Sequence, residues 1–293
     1  EFDEEGLGAG ELTMRVYMLM SSSCFGALRD SGVRTGFGNE MLRVGGIKYF
    51  ADGAIAGRTA WLSEPYEGST DDCGIRVTEP EAIEAAALEA HQAGFQVCVH
   101  ANGDAAIDMV LTAYETALAA YPRENCRHRI EHCTLVNPSI LERMARLGCV
   151  ATPFNTYIYH HGEKMKYYGE ERLRWMFAHR SFLDSGIMST GSTDYVPGPY
   201  EPLMGIQSSV TRTDQSGKVW GENQKVTVEE ALRIYTLHGA YASFEEDIKG
   251  SIEVGKLADL VVLGDDPTAV DPHTIMDIPV EMTMVGGRVV FGG

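Results

Sequence analysis

The chain has 293 residues, 44% hydrophobic and 23% charged, which is enough for one large domain or two modest ones with a sizeable core. Its 42 acidic residues outnumber 24 basic ones, for a net charge of -18. That balance leaves no basic footprint for a nucleic acid or an anionic membrane surface, and no apolar run approaches the length of a membrane span. The N-terminal stretch EFDEEGLGAGEL is acidic and Gly-rich, unlike a signal peptide, and reads as a cut or junction. Cys24, Cys73, Cys98, Cys126, Cys133 and Cys149 are scattered, with no Cys-x-x-Cys pair. They read as reduced core thiols, hence a cytoplasmic location.

In chain order, short apolar runs predict strands over 15–20, 47–52, 95–100, 128–132, 149–154 and 187–191. Helical patterns separate them. The segment 81–93 follows a capping box at Thr78-Glu79-Pro80-Glu81. Residues 105–120 place Ile107, Val110, Leu111, Tyr114 and Leu118 at helical spacing, and 138–147 follow an Asn137 N-cap. A helix is also predicted over 171–185, then a long polar loop over 197–224 carrying Arg212 and Trp220. The helix over 228–242 starts with a second capping box, Thr227 to Glu230. After Lys249 the pattern changes to short strands at 258–263, 280–285 and 288–291. Strand–helix alternation implies parallel strands with helical crossovers. The expected fold class is α/β: an incomplete TIM-like barrel with about six of eight strands over 1–249, and a small β appendage over 250–293.

Lys48 interrupts the apolar strand GIKYFADG. Side chains on a strand alternate, so Lys48, Phe50 and Asp52 share one face. A buried lysine without a partner is costly. It either pairs with Asp52 or another carboxylate, or reacts with carbon dioxide to give an anionic carbamate able to bridge two cations. His100, His132 and Asp194 each close a predicted strand, and barrel strand ends converge on one face. Any one of these histidines also fits a core residue satisfied by its neighbours; together with the aspartate they form a donor set for a divalent cation. Asp52 and Arg58 flank the loop after the lysine strand, where each contacts substrate or the two form an ion pair. Asn102 and Asp104 follow His100 at a helix start, where Asp104 suits an N-cap. Arg212 offers a bidentate fork for a substrate carboxylate. Tyr157, His160 and His161 read as a solvated loop near the pocket mouth.

Five motifs occur in order: Ile47-Lys48 ahead of Phe50-Ala51-Asp52-Gly53, His100-Ala101-Asn102-Gly103-Asp104, Arg129-Ile130-Glu131-His132, Gly191-Ser192-Thr193-Asp194, and the run 250–263. This series resembles the amidohydrolase superfamily, in its amidohydrolase-3 group that includes N-substituted formamide deformylases, over residues 12–290. The resemblance implies a distorted TIM barrel holding one or two divalent metals, zinc by its ligand chemistry. It implies that Lys48 is the carboxylated bridging lysine of strand four, His100 and His132 the ligands of strands five and six, and Asp194 a ligand and the general base. The implied activity is hydrolysis of a non-peptide carbon–nitrogen bond, an amide or formamide, in a small-molecule substrate. Thr193 stands where the family has serine. The His-x-His motif of strand one has no counterpart, since His91 is the first histidine, and strands one and two are missing with part of the β-sandwich. One subsite keeps Lys48, His100 and His132; the other keeps only Lys48 and Asp194. The expectation is a chain weak or inactive alone, with exposed sheet edges that call for a homo-oligomer or a missing N-terminal segment. The alternatives are a non-catalytic truncated barrel stabilised by oligomerisation, and a lactone or ester hydrolase on the same fold.

Overall fold

The computed structural model describes residues 12–195 and 198–293. The stretch 1–11, Val196 and Pro197, the last being the first residue of the expected loop, lie outside the described residues. Five strands form one parallel sheet in chain order: β1 (Val16–Ser21), β2 (Leu42–Phe50), β3 (Val97–Ala101), β4 (Arg129–His132) and β5 (Val150–Thr152). The sixth expected strand continues the sheet only through isolated parallel bridges, Ala151 to Ser189 and Phe154 to Ser192.

Helices cover the outer face of this sheet. After the short α1 (Phe25–Asp30) come α2 (Pro80–Gln92), α3 (Asp104–Ala120) and α4 (Pro138–Leu147). The main core lies between α2, α3 and α4 and strands β2 to β5, with Ile47, Val97, Val99, Ile130 and Ala151 facing it. Tyr114 fastens α3 to the sheet: its hydroxyl donates to the carbonyls of Val97 (3.2 Å) and Arg129 (2.7 Å). The Asn137 side chain caps α4 by accepting from the Ile140 amide at 3.0 Å. The capping box expected at Thr78 does not form. Glu79 is the N-cap, and the Thr78 hydroxyl instead donates to the Phe50 carbonyl at 2.7 Å, closing the end of β2.

The second half departs further from the sequence pattern. After α5 (Tyr157–His161), the single helix expected over 171–185 is two short ones, α6 (Gly169–Leu173) and α7 (His179–Asp184). Between them, Phe177 takes left-handed backbone at φ 48°, which interrupts a helix, and the carbonyls of Met176 and Phe177 accept from the Arg212 guanidinium, both at 3.0 Å. The expected polar loop contains α8 (Pro202–Thr211). Two of its hydroxyls fold back onto their own helix, Ser209 onto the Gly205 carbonyl (2.8 Å) and Thr211 onto that of Gln207 (2.9 Å). The helix expected over 228–242 divides at Thr236 into α9 (Val228–Tyr235), which has the expected capping box, and α10 (Leu237–Ala242).

The tail forms an antiparallel sheet of β6 (Leu260–Leu263), β7 (Val280–Val285) and β8 (Arg288–Gly292). Arg15 ties it to β1 through Asp259 at 2.6 Å. A further core cluster joins Ile206, Ala231 and Ile234 to Ile275 and Ile278, and so straddles the boundary expected at 249/250. No helix among the described residues is long and apolar enough to cross a membrane. Between β1 and the 189–192 segment runs a groove of about 610 Å³, floored by Arg129, Glu131 and Thr152.

Candidate metal centre

Register decides what faces the concave side of the sheet. In a parallel pair, aligned residues share a face. Lys48 aligns with Cys98, Phe50 with His100, and His100 with Glu131, so Lys48, His100 and Glu131 point the same way. His132 ends β4 in left-handed backbone, at φ 71°, and Cys133 follows at 41°. Such φ values are uncommon for a side-chain-bearing residue and are held only by surrounding structure. Here the imidazole lies against that of His100, with ring centroids 4.4 Å apart, and stacks on Phe154 at 4.3 Å. Asp194, beyond the sheet's last bridge, is also left-handed, at φ 52°.

The hydrogen bonds fix one tautomer. His100 Nε2 lies 2.9 Å from the Gly53 carbonyl and therefore carries the proton that donates to it. Asn102 Nδ2 donates to the same oxygen at 2.8 Å. His100 Nδ1 is left as a lone pair with no partner among the described residues. Neither ring nitrogen of His132 has one either, and its Nδ1 is buried. Burial is the largest cause holding both imidazoles below the ordinary histidine value; the nearby Lys48 adds to it. Both rings are therefore neutral donors.

Lys48 makes no hydrogen bond or ion pair among the described residues; its Nζ sits 5.1 Å from the Phe50 ring centre. Burial lowers its pKa, opposed by the charges of Glu131 and Asp194. A neutral amine is the form that adds carbon dioxide. Partial burial raises Asp194, and the Lys48 charge opposes that shift. The unpaired imidazole nitrogens of His100 and His132, beside a carboxylate, fit a divalent cation. Lys48, His100, His132 and Asp194 would hold it.

Arg58 and Arg212 are turned elsewhere, and Asp52 is held by backbone amides with its Oδ1 3.5 Å from His100 Nε2. The Asp52 carboxylate is 2% exposed and accepts from the amides of Trp61, Asn102 and Gly103 at 2.8 to 2.9 Å, so it fixes the loop after β2 and pairs with neither Lys48 nor Arg58. Burial pushes its carboxyl up to about 7 against those donors. Arg58 lies over the rings of Tyr66 and Tyr167 and 3.7 Å from Asp72. Arg212, 1% exposed, donates to the carbonyls of Trp220, Phe177 and Met176. Asp104 is not an N-cap; it starts α3 and accepts from the Ser63 amide at 3.0 Å.

A cavity of about 150 Å³ opens beside His100 and Asp194, and His160, His161 and Tyr157 form part of its wall. These residues read as solvated loop in the sequence. The signal was the aromatic spacing: Phe154 and Tyr157 continue the stack from His132, and Tyr157 meets His161 at 5.0 Å.

A second cluster lies near the opposite ends of the same strands. His91, Cys126 and His128 place their donor atoms within 4.8 Å of one another. Its ring nitrogens are closed without an ion. The Val97 amide donates to His128 Nδ1 at 3.0 Å, so His128 carries its proton on Nε2. That proton goes to His91 Nδ1 at 3.0 Å, and His91 Nε2 donates to the Tyr121 carbonyl at 2.6 Å.

Among known proteins, the chain is 34% identical to YtcJ of Bacillus subtilis (strain 168) over 259 residues, which are 84% of this chain and 47% of that protein. It is 31% identical to the N-substituted formamide deformylase of Arthrobacter pascens over 252 residues, 84% of this chain and 45% of the other. An uncharacterized metal-dependent hydrolase from Pyrococcus horikoshii OT3 superposes with a TM-score of 0.81 at 28% identity, over 92% of this chain and 54% of that one. The chain thus spans about half the length of the relatives it matches. The model of the amidohydrolase family matches residues 7–291, and the chain belongs to that family.

Proposed function

We propose that this chain carries the greater part of a metal-dependent hydrolase site acting on a non-peptide carbon–nitrogen bond. The observation that supports it most is the open pair, a partly buried His100 and a buried His132: neutral and in ring contact, with lone pairs that nothing among the described residues occupies. A divalent cation held there, zinc by donor type, polarises a carbonyl and acidifies water when bound. Lys48 supplies its anionic oxygens as a carbamate: the amine nitrogen bonds the carbon of carbon dioxide and releases a proton. Asp194 accepts the proton of the attacking water and delivers it to the leaving nitrogen. His100 is oriented for its task by the Gly53 carbonyl.

The fold in this reading is an incomplete (β/α) barrel with a β-sandwich remnant. The groove between β1 and residues 190–192 favours completion by another polypeptide segment or a second copy, with the chain alone weak or inactive. Esters and lactones are open to the same chemistry, because activated water attacks any such carbonyl. Metal per chain is the first test, on wild type and His132→Ala in parallel. About one ion in wild type, lost in the variant, is the expected result. No ion after zinc and bicarbonate are supplied would overturn it and leave a non-catalytic truncated barrel.

A further inference from the structure

One carboxylate ties the metal centre to the wall of its cavity. Asp52 follows β2, beyond Lys48, and its side chain is fully buried. Its Oδ1 accepts from the Asn102 amide at 2.9 Å, and its Oδ2 from the amides of Gly103 at 2.8 Å and Trp61 at 2.9 Å. Asn102 and Gly103 directly follow β3, the strand that presents His100. Trp61 closes the loop after β2, whose Ala54, Ile55 and Ala56 line the cavity beside His100 and Asp194. A side chain at Gly103 would strike the Trp61 carbonyl, so the loop and the end of β3 meet backbone to backbone around this carboxylate.

The same carboxylate acts on His100. Its Oδ1 lies 3.5 Å from His100 Nε2, whose proton goes to the Gly53 carbonyl at 2.9 Å. Gly53 is the next residue in the chain, so holding the carboxylate holds the carbonyl. A negative charge on that side favours the proton on Nε2 and leaves Nδ1 as the open donor. Resting on the hydrolase reading above, we propose that Asp52 is a positioning residue for the metal centre. It anchors the carbonyl that orients His100 and selects that ring's tautomer, through the network that also shapes the cavity wall.

Asp52→Asn keeps the shape but replaces one acceptor oxygen by an NH2 donor, which then faces a backbone amide. With the remaining oxygen on Gly103 and Trp61, the NH2 faces the Asn102 amide and His100 Nε2. Zinc affinity is expected to fall by about 10- to 100-fold in chelator competition. In the metal-free variant, His100 is expected to lose its purely Nε2-protonated nitrogen-15 signature. Thr59→Val is the control: Thr59 Oγ1 accepts from the Ala54 amide at 2.8 Å, so this variant loosens the same loop without touching the carboxylate. It is expected to keep both the tautomer and, within a few-fold, the zinc affinity. Lost stability alone in Asp52→Asn, with tautomer and affinity kept, overturns the proposal, as does Thr59→Val reproducing both losses. Where Asp52→Asn does not fold, amide exchange in wild type decides. Zinc is expected to slow exchange at Trp61, Asn102 and Gly103 by at least about 10-fold more than at Val97, where β3 begins. Equal slowing at all four overturns it. Zinc uptake and tautomer are separate readouts. A chain that takes up no zinc, yet changes tautomer in Asp52→Asn, sinks the hydrolase reading and leaves the hold of Asp52 on His100 standing.

Discussion

Two histidine pairs sit near opposite ends of strands β3 and β4. His100 and His132 lie at the C-terminal ends, and His91 with His128 lies where the same strands begin. Burial is the first cause holding all four below the usual histidine value, so all are neutral donors. The rings of the second pair are bonded to one another, whereas those of the first are not. In the second pair every ring nitrogen has a partner, in a chain running from the Val97 amide to the Tyr121 carbonyl. In the first pair one nitrogen is tied and three have no partner among the described residues. Proximity of histidines does not make a cation site. Unused lone pairs do, and a backbone amide donating to His128 Nδ1 denies the metal the nitrogen it needs.

Replacing one histidine of each pair breaks the comparison most strongly. His132→Ala is expected to weaken zinc binding by at least about 100-fold, as a chelator competition reads it, while His128→Ala leaves it within a few-fold. Stability is expected to run the other way. His128→Ala orphans the Val97 amide and His91 Nδ1, at about 3 kcal/mol in chemical denaturation. Equal loss of zinc in both variants would erase the distinction.

Acid sharpens the closed pair. The folded-state pKa values of His91 and His128 are depressed, so the unfolded chain binds protons that the folded chain refuses. The stability they contribute is present above the unfolded value of about 6.5 and is lost as pH falls below it, by up to about 1.4 kcal/mol per pH unit for each ring. Arg123 lies on the same side, its guanidinium donating to the His91 and Phe95 carbonyls, and its charge lowers both histidines further. Denaturation between about pH 7 and pH 5 is expected to show a shallower slope in His128→Gln than in wild type. Parallel slopes would mean that this pair is protonated without opening.

The open pair was legible in the sequence because its signal is local. A strand pattern that ends in His100 or His132 states both the element and the end of it, and alternation alone puts Lys48 on the face of Phe50. The closed pair was not, since its partners are a β3 amide and the carbonyl that follows α3, both distant in sequence. Arg212 shows the same limit. Its type suggests a carboxylate fork, but three backbone carbonyls surround it, one eight residues on at Trp220 and two in the distant 176–177 turn where the helix expected over 171–185 is interrupted. α8 was hidden because Ser208, Ser209 and Thr211 read as loop, although they are buried. The existence and parallel order of β1 to β5 followed from hydrophobic pattern and alternation; the sixth strand, expected over 187–191, is present only as single bridges.

The smallest expected effect tests what positions the open pair. Asn102 shares the Gly53 carbonyl with His100 and is itself held by the Thr134 hydroxyl, which donates to its Oδ1 at 2.7 Å. Asn102→Ala leaves the His100 bond to Gly53 in place but removes the brace on that carbonyl. Zinc affinity is expected to fall by about 10-fold, the lower end for a group that orients a ligand. Nitrogen-15 shifts of His100 are expected to keep their Nε2-protonated signature in the metal-free variant, because the carbonyl still selects the tautomer. A switch to the Nδ1-protonated form would show that Asn102, rather than the carbonyl alone, sets which nitrogen is free. Unchanged affinity with an unchanged tautomer would mean that the loop after β2 holds Gly53 rigidly through Asp52 and its three amide donors, with the asparagine redundant.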